Sequence, residues 1–375
     1  MNRIVVGLSG GVDSAVTVYL LKKSGYEVVG VFLEMLNGEK EFKRTEKLAK
    51  QLGIKLIKKD IQKIFKKEII DKFVNNYKNG LTPNPCIVCN PQIKFKYLFE
   101  VADELGVKKV ATGHYARVRL GKIFEMPSHS TGQAVFHDEE NHDSEQIFLQ
   151  KARDKIKDQS YFLYKLTQQE LQRVEFPLGE LSKKEVKKIA EKVGLDVPKS
   201  ESQDVCFLKN FKNLEEFLSK SLNKKEIVAG EIVNNQGETI GAHKGLLMYT
   251  IGQRKGLNIG GSGPFYVVGK DFVKNQLIVS NDKQDNKLFT KEILIDKVNW
   301  INKIPKEDKN YKIKIRYQMK SVEATLGKYK NSFDDKKVDS EKWKIKCTEN
   351  IWAVAPGQSL VVYDGDRVVG GGIIN

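Results

Sequence analysis

Four short apolar runs, Arg3 to Leu8, Glu27 to Leu33, Ile54 to Lys58 and Lys109 to Thr112, are separated by stretches with helical spacing, near Asp13 to Lys23, Glu41 to Leu52, Ile64 to Tyr77 and Ile93 to Leu105. Strands of this length alternating with helices predict an α/β fold with a parallel, doubly wound sheet. In such sheets ligands bind beyond the carboxyl ends of the strands, at the point where the strand order reverses. The expected site is therefore near Ser9, Asn84 and Gly113.

The pattern then changes. From Met126 to Glu145 the chain is polar and holds His129, His137 and His142 among carboxylates. No metal-ligand spacing fits them, and the stretch reads as a surface loop. Helical signals return with Ser182 and Glu185, a capping box ahead of Val186, Ile189 and Ala190. Beyond about Ser221 the runs are short and broken by turn residues, as in Asn234-Asn235-Gln236-Gly237 and Asp364-Gly365, which are hairpin signals. The expected division is residues 1–208, 209–280 and 281–375: the doubly wound sheet with a helical part, a small β-rich domain and a β-barrel.

Sixty-four Lys and Arg against 48 Asp and Glu give a net charge of +16, a balance that attracts polyanions by counterion release. No run approaches the ~18 apolar residues of a membrane span, so a cytoplasmic protein is expected. The four cysteines, Cys86, Cys89, Cys206 and Cys347, are too few for a secreted disulfide scaffold.

Ser9-Gly10-Gly11-Val12-Asp13-Ser14 stands where the first strand ends and the first helix begins. Its glycines let backbone N–H groups approach phosphate oxygens, its serines add hydroxyl donors, and the helix N-terminus adds positive potential. It is neither a Walker A loop nor a dinucleotide fingerprint. Asp13, an anion in a phosphate cradle, is expected to hold Mg2+ or to orient the site. Further along, Cys86 and Cys89 form a C-x-x-C after Pro83-Asn84-Pro85. The prolines predict an extended segment presenting both thiols, with zinc, redox and iron–sulfur uses all open.

Gly7 to Ser14, Thr82 to Asn90 with Ile93-Lys94-Phe95, Thr112 to Tyr115, Lys157 to Leu163, Ser202-Gln203-Asp204 with Cys206-Phe207, Tyr249 to Leu257 and Pro356-Gly357-Gln358 follow one another in an order that resembles the bacterial tRNA-specific 2-thiouridylase family along nearly the whole chain. The hexapeptide at Ser9 is similar to the pyrophosphatase-loop signature of adenylating enzymes, and the N-terminal sheet it implies is of the adenine nucleotide α-hydrolase-like type. The resemblance implies that Gly7, Leu8, Ser9, Gly10, Gly11, Val12, Asp13, Ser14, Leu33 and Gly113 bind ATP, with Mg2+ as its companion. It implies that Asn84, Pro85 and Cys86 face the target base, and that Lys157, Asp158, Gln159, Arg316 and Tyr317 touch tRNA.

The implied reaction is ATP-dependent 2-thiolation of the wobble uridine, in tRNAs reading Lys, Glu and Gln codons. Cys206 carries a persulfide received from a sulfur-relay protein or a cysteine desulfurase, and Cys89 is the partner thiol that frees the sulfur. Thiolates are the competent form, so an electropositive, partly exposed pocket is expected for both. Many family members carry Asp where this chain has Cys86. The extra thiol leaves an alternative open, in which Cys86, Cys89 and Cys206 bind a [4Fe-4S] cluster. An adenylating ligase or amidotransferase acting on a small molecule would need neither Cys89 nor Cys206.

Overall fold

The computed structural model describes residues 2–36, 38–121, 146–198, 205–260, 263–330 and 338–375. The predicted loop between Met126 and Glu145, with its histidines, lies outside the described residues, as does Ser202-Gln203-Asp204.

Strands β1 (Arg3–Gly7), β2 (Glu27–Glu34), β3 (Lys55–Asp60) and β4 (Lys109–Ala111) form where the apolar runs predict them. With the short β7 (Val174–Glu175) they make a parallel sheet of order β3-β2-β1-β4-β7. The chain moves outward from β1 on one side, then returns to place β4 on the other. That reversal puts the residues after β1 and after β4 side by side, which is the crevice position of a doubly wound sheet. Helix α1 (Val12–Lys23) follows β1 directly, and α2 (Glu39–Leu52) ends at Gly53 with a left-handed backbone. Ile4, Val6 and Leu8 of the first strand and its extension pack with Ala15, Val18 and Leu48 of these helices.

The segment expected to be extended around the C-x-x-C is instead helical. Thr82 to Asn84 is irregular, but Pro85 occupies the first helical position of α3 (Pro85–Cys89), where its fixed φ starts a helix and its missing N–H costs nothing. A π-helical turn, Asn90–Phe95, joins α3 to α4 (Lys96–Glu104), so one continuous helical rod carries both thiols toward the sheet. Helix α5 (Lys183–Lys192) is capped as the sequence predicts: Glu185 N–H donates to Ser182 Oγ at 3.3 Å and Ser182 N–H to Glu185 Oε2 at 2.7 Å. Its Val186 and Ala190 pack on Val12 and Val16 of α1.

Strands β8 (Gly230–Val233), β9 (Thr239–His243), β10 (Tyr266–Asp271) and β11 (Gln276–Ser280) form a second sheet, and the predicted turn at Gly237 closes its β8–β9 hairpin. Strands β12 (Phe289–Trp300), β13 (Tyr311–Lys314), β14 (Val322–Lys330), β15 (Val338–Trp352), β16 (Ser359–Asp364) and β17 (Arg367–Ile374) form a third. Pairing of β12 with both β15 and β17 closes these six antiparallel strands into a barrel. An unpredicted feature is the hairpin of β5 (Ala116–Gly121) and β6 (Gln146–Lys151), which leaves the N-terminal unit and joins the barrel sheet through Gln150 beside Arg367.

Candidate active site

The Ser9–Ser14 loop leaves β1 and enters α1 with Ser14 as its brace: Ser9 N–H donates to Ser14 Oγ at 3.2 Å, and Ser14 Oγ donates to the Gly11 carbonyl at 3.0 Å. Gly11 at the helix N-cap supplies no side-chain acceptor, so the first-turn N–H groups of α1 are left uncapped, the condition under which a helix start binds an anion. Gly113, after β4, presses on the same turn. A Cβ there would stand 2.9 Å from both the Asp13 carbonyl carbon and the Ser14 nitrogen, so only glycine permits this approach. Gly7 and Leu8 belong to the strand and its extension, with Leu8 N–H donating to the Val31 carbonyl at 2.8 Å. Leu33 lies near the end of β2, partly buried between two core clusters.

Asp13 does not face solvent alone. Its Oδ1 accepts from Lys183 Nζ at 2.6 Å and from Tyr115 Oη at 2.8 Å, while Oδ2 accepts from Lys183 Nζ at 2.8 Å. Lys183 opens α5 and is 7% exposed, so its charge has been taken out of water to neutralise the loop's carboxylate. The position of Tyr115 is fixed in turn by Gln159, whose Oε1 accepts its backbone N–H at 3.0 Å. Of the two roles expected for Asp13, this arrangement matches orientation. Mg2+ does not fit as a direct ligand here, because both carboxylate oxygens are already engaged by a cation.

The thiols lie on the helical rod and beside it. Cys89 is buried, Cys86 and Cys206 half-buried, and all four cysteines are free. Cys206, in a 3₁₀ turn (Cys206–Leu208), joins the cluster that contains Cys89, Ile93, Phe65 and Phe73, with Phe207 edge-on to Phe65 and Phe73. Burial, opposed by Lys94 and aided by the neighbouring Cys206 and Cys86, pushes the Cys89 thiol up to about 12. Burial also raises Cys86 and Cys206; Lys94 opposes it at both, and Lys209 does so at Cys206. Lys94, and Lys209 at Cys206, act in the direction expected of an electropositive pocket, but burial outweighs them at all three thiols, and Cys89 is closed off and not partly exposed. The physical reason is the helix at Pro85, which turns Cys89 into the core instead of presenting it. Cys347 is buried in the barrel core, as a bland apolar residue.

Lys94 was quoted in the sequence only as part of a motif, yet it is the cation common to all three thiols. It also acts on His114, which stacks on Phe95 at 5.9 Å and shares a 2.7 Å hydrogen bond through Nδ1 with Thr112 Oγ1. Burial first, and Lys94 second, hold His114 down to about 3, so it is neutral at ordinary pH. Among the described residues no three His, Cys, Asp or Glu side chains are grouped to hold a metal ion.

The residues expected to touch RNA lie on a seam between sheet and barrel. Asp158 is 5% exposed, its carboxylate accepting from the N–H groups of Ala152 and Ser160 and from Ser160 Oγ. It shapes its loop from inside, while Lys157 and Gln159 are half-buried. Asn90 Nδ2, next to Cys89, donates to the Phe162 carbonyl at 3.0 Å; Phe162 packs on Tyr317 with centroids 4.6 Å apart. Tyr161 Oη donates to the Ser359 carbonyl at 2.7 Å. The thiol-bearing rod, the Lys157–Leu163 segment and the barrel are therefore locked together. Arg316 lies over the Trp352 ring at 5.5 Å and donates to the Trp352 and Ala353 carbonyls.

Comparison with known proteins accounts for all three units. Residues 2–210 match the family described as a tRNA methyl transferase HUP domain, 215–281 a tRNA methyl transferase PRC-barrel domain and 290–374 an aminomethyltransferase β-barrel domain. The tRNA-specific 2-thiouridylase MnmA of Pediococcus pentosaceus is 38% identical over 391 residues, covering 100% of this chain and 95% of that protein. MnmA 2 of Thermoanaerobacter sp. is 40% identical over 390 residues, covering 100% and 98%. The chain belongs to the tRNA-specific 2-thiouridylase family. A further 2-thiouridylase, from Treponema denticola, is 39% identical and covers 99% of this chain and 97% of its own. Family membership at this coverage joins the loop at Ser9, the thiol-bearing rod and the barrel into one enzyme architecture, and among the described residues no helix is long and apolar enough to cross a membrane.

Proposed function

We propose that this 2-thiouridylase family member replaces the 2-oxygen of the wobble uridine of tRNA with sulfur, using ATP as the activating substrate. The observation that carries the reading is the convergence of Cys206 on the C-x-x-C helix, in one cluster, under the influence of Lys94. An adenylating ligase would have no use for that convergence.

In the proposed sequence, uridine O2 attacks the α-phosphorus of ATP and pyrophosphate leaves. The Ser9–Ser14 loop and the uncapped start of α1 receive the phosphates. AMP is now the leaving group at an electrophilic C2. The outer sulfur of a persulfide on Cys206 attacks C2, and AMP departs. Cys89, as thiolate, then attacks the inner sulfur of Cys206, breaking the S–S bond, leaving sulfur on C2 and forming a Cys89–Cys206 disulfide. An external thiol reductant reopens it. Lys94 opposes, without overcoming, the burial that disfavours the thiolate at Cys89 and Cys206. The net charge of +16 and the seam carrying Lys157, Gln159, Arg316 and Tyr317 favour a folded RNA as substrate.

A sulfur-relay protein or a cysteine desulfurase would load Cys206, and the acceptors would be the tRNAs for Lys, Glu and Gln codons. The frame of this reading is three domains at 1–208, 209–280 and 281–375, in the cytoplasm. The experiment is mass analysis of tRNA nucleosides from cells with and without the protein. Loss of 2-thiouridine derivatives supports the reading; an unchanged nucleoside profile overturns it.

A further inference from the structure

Lys183 is bound to Asp13, so the charge it brings to the Ser9–Ser14 loop is already balanced there. A multiply charged anion on the uncapped start of α1 needs a counter-charge from another element. Helix α2 brings one. The guanidinium of Arg44 lies across Gly10, with Nε 3.2 Å and Nη2 3.5 Å from where a Cβ on that glycine would stand. Gly10 has a positive φ of 75°, and its Cβ would also come within 2.6 Å of Thr45 Oγ1, so glycine is what lets helix and loop touch. Thr45 is fully buried and its Oγ1 donates to the Glu41 carbonyl at 2.7 Å, which fixes the turn of α2 that carries Arg44.

Arg44 differs from its neighbours on the helix. Lys43, Lys47 and Lys50 face carboxylates, Glu39 at 2.8 Å, Asp196 at 2.7 Å and Glu46 at 3.8 Å. Arg44 is exposed and has no hydrogen-bond or ion-pair partner among the described residues; it meets the loop instead.

The sheet decides which end of ATP this residue meets. Helices α1 and α2 cover one face, packing with Ile4, Val6 and Leu8. Helix α4, which continues the thiol-bearing rod, covers the other, packing with Val5, Val29 and Val31. Displacement at phosphorus runs in line, with the entering and leaving oxygens on opposite sides. Uridine O2 enters from the side of the thiols, so pyrophosphate leaves toward α1 and α2.

We propose that Arg44 is a further catalytic residue of the adenylation step, holding the β- and γ-phosphates of ATP and stabilising the departing pyrophosphate. The inference rests on the thiolation reading above and adds a residue to its first step. As the bond from uridine O2 to the α-phosphorus forms, the bond from that phosphorus to the oxygen bridging to the β-phosphate breaks. Its electron pair goes to pyrophosphate, and the uridine N3 proton goes to water. Arg44 transfers no proton. Its planar fork donates N–H hydrogen bonds to the oxygens on which charge grows, the use that phosphoryl transfer makes of arginine.

The test compares the wild type with Arg44→Gln, Arg44→Lys and Lys43→Gln, the last removing an equal charge from the adjacent position. Binding of inorganic pyrophosphate, AMP and tRNA is titrated, and pyrophosphate release and 2-thiouridine are followed in a single turnover with ATP and unmodified tRNA. Arg44→Gln should weaken pyrophosphate binding and slow pyrophosphate release, each by about tenfold, the scale of one charge-assisted hydrogen bond. Its AMP and tRNA affinities and its unfolding midpoint should not change. Arg44→Lys should recover part of both losses, since an ammonium keeps the charge without the fork. Lys43→Gln should match the wild type. Equal losses in Arg44→Gln and Lys43→Gln would overturn the assignment, because the effect would be one of net charge. Equal losses of pyrophosphate and AMP affinity in Arg44→Gln, or no loss of either, would overturn it too. If pyrophosphate binding and release follow the expected pattern but no 2-thiouridine forms, Arg44 keeps its role and the thiolation reading fails.

Discussion

Lys183 Nζ lies 2.6 and 2.8 Å from the two carboxylate oxygens of Asp13, joining the first turn of α5 to the loop that follows β1. Lys183 is nearly buried and the Asp13 side chain is 34% exposed, so the pair anchors the loop while leaving one face of it open. Asp13→Ala should abolish pyrophosphate release while leaving tRNA affinity nearly intact, because the carboxylate orders the ATP loop and not the RNA seam. It should also lower stability by about 2 kcal/mol, below the ~3–5 kcal/mol of a fully buried broken pair because Asp13 is partly hydrated. Pyrophosphate exchange and denaturant unfolding of the same preparation check both halves, and normal exchange would detach the loop from ATP.

Lys94→Met removes the cation that opposes burial at Cys86, Cys89 and Cys206. With it gone, every thiol moves further up, and the pH–rate profile of sulfur transfer should shift to more alkaline pH, with pyrophosphate release unaffected. Lys94→Arg should restore much of the profile. A uniform loss of rate at all pH values, with no shift, would mean that Lys94 serves packing alone.

His114 is held at about 3 when folded, against an ordinary value near 6.5. Between those values the unfolded chain carries a proton on this residue that the folded chain refuses. Stability therefore rises with pH across that window and is lost as pH falls from about 6.5 toward 3. His114→Asn should flatten this part of the pH–stability curve. Parallel curves for the two proteins would show that the imidazole stays out of the linkage.

Cys86→Asp restores the commoner family arrangement at the start of the C-x-x-C. If Cys86 is a bystander to a persulfide on Cys206, thiolation should survive the change within a few fold, whereas Cys89→Ser and Cys206→Ser should each be inactive. Loss of activity in Cys86→Asp, together with loss of visible absorbance, would instead mark Cys86 as a soft ligand whose replacement by carboxylate is not tolerated.

The sheet was readable because its strands are short, continuous and apolar, and because the Ser9–Ser14 loop needs glycine and small hydroxyl residues at fixed places. The capping box at Ser182 and Glu185 was equally plain, being local. What it positions was not: Lys183 meets Asp13 across 170 residues, and no periodicity signals such a pair. The prolines around Asn84 gave an opposite signal to the one the fold uses. Pro85 starts a helix where an extended presentation of the thiols was expected, and burial of Cys89 follows from it. The sequence offers Cys206 as one further ligand for the Cys86 and Cys89 pair, but its role beside them as the persulfide carrier is implied by the family resemblance, since spacing carries no information about a contact so distant in the chain. The β5–β6 hairpin went unseen because its membership in the barrel sheet rests on tertiary pairing with β17 and on no local pattern of its own.

The central claim, that sulfur passes from Cys206 to an adenylated uridine without a metal centre, is tested by one preparation. Protein purified anaerobically, freed of iron and loaded with persulfide from a defined donor, is mixed with ATP and unmodified tRNA for a single turnover, while iron, acid-labile sulfide and 2-thiouridine are measured in the same sample. The account predicts close to one 2-thiouridine per persulfide in iron-free protein, and none with Cys206→Ser. Thiouridine formation that rises and falls with iron content, and is absent without it, would contradict the account.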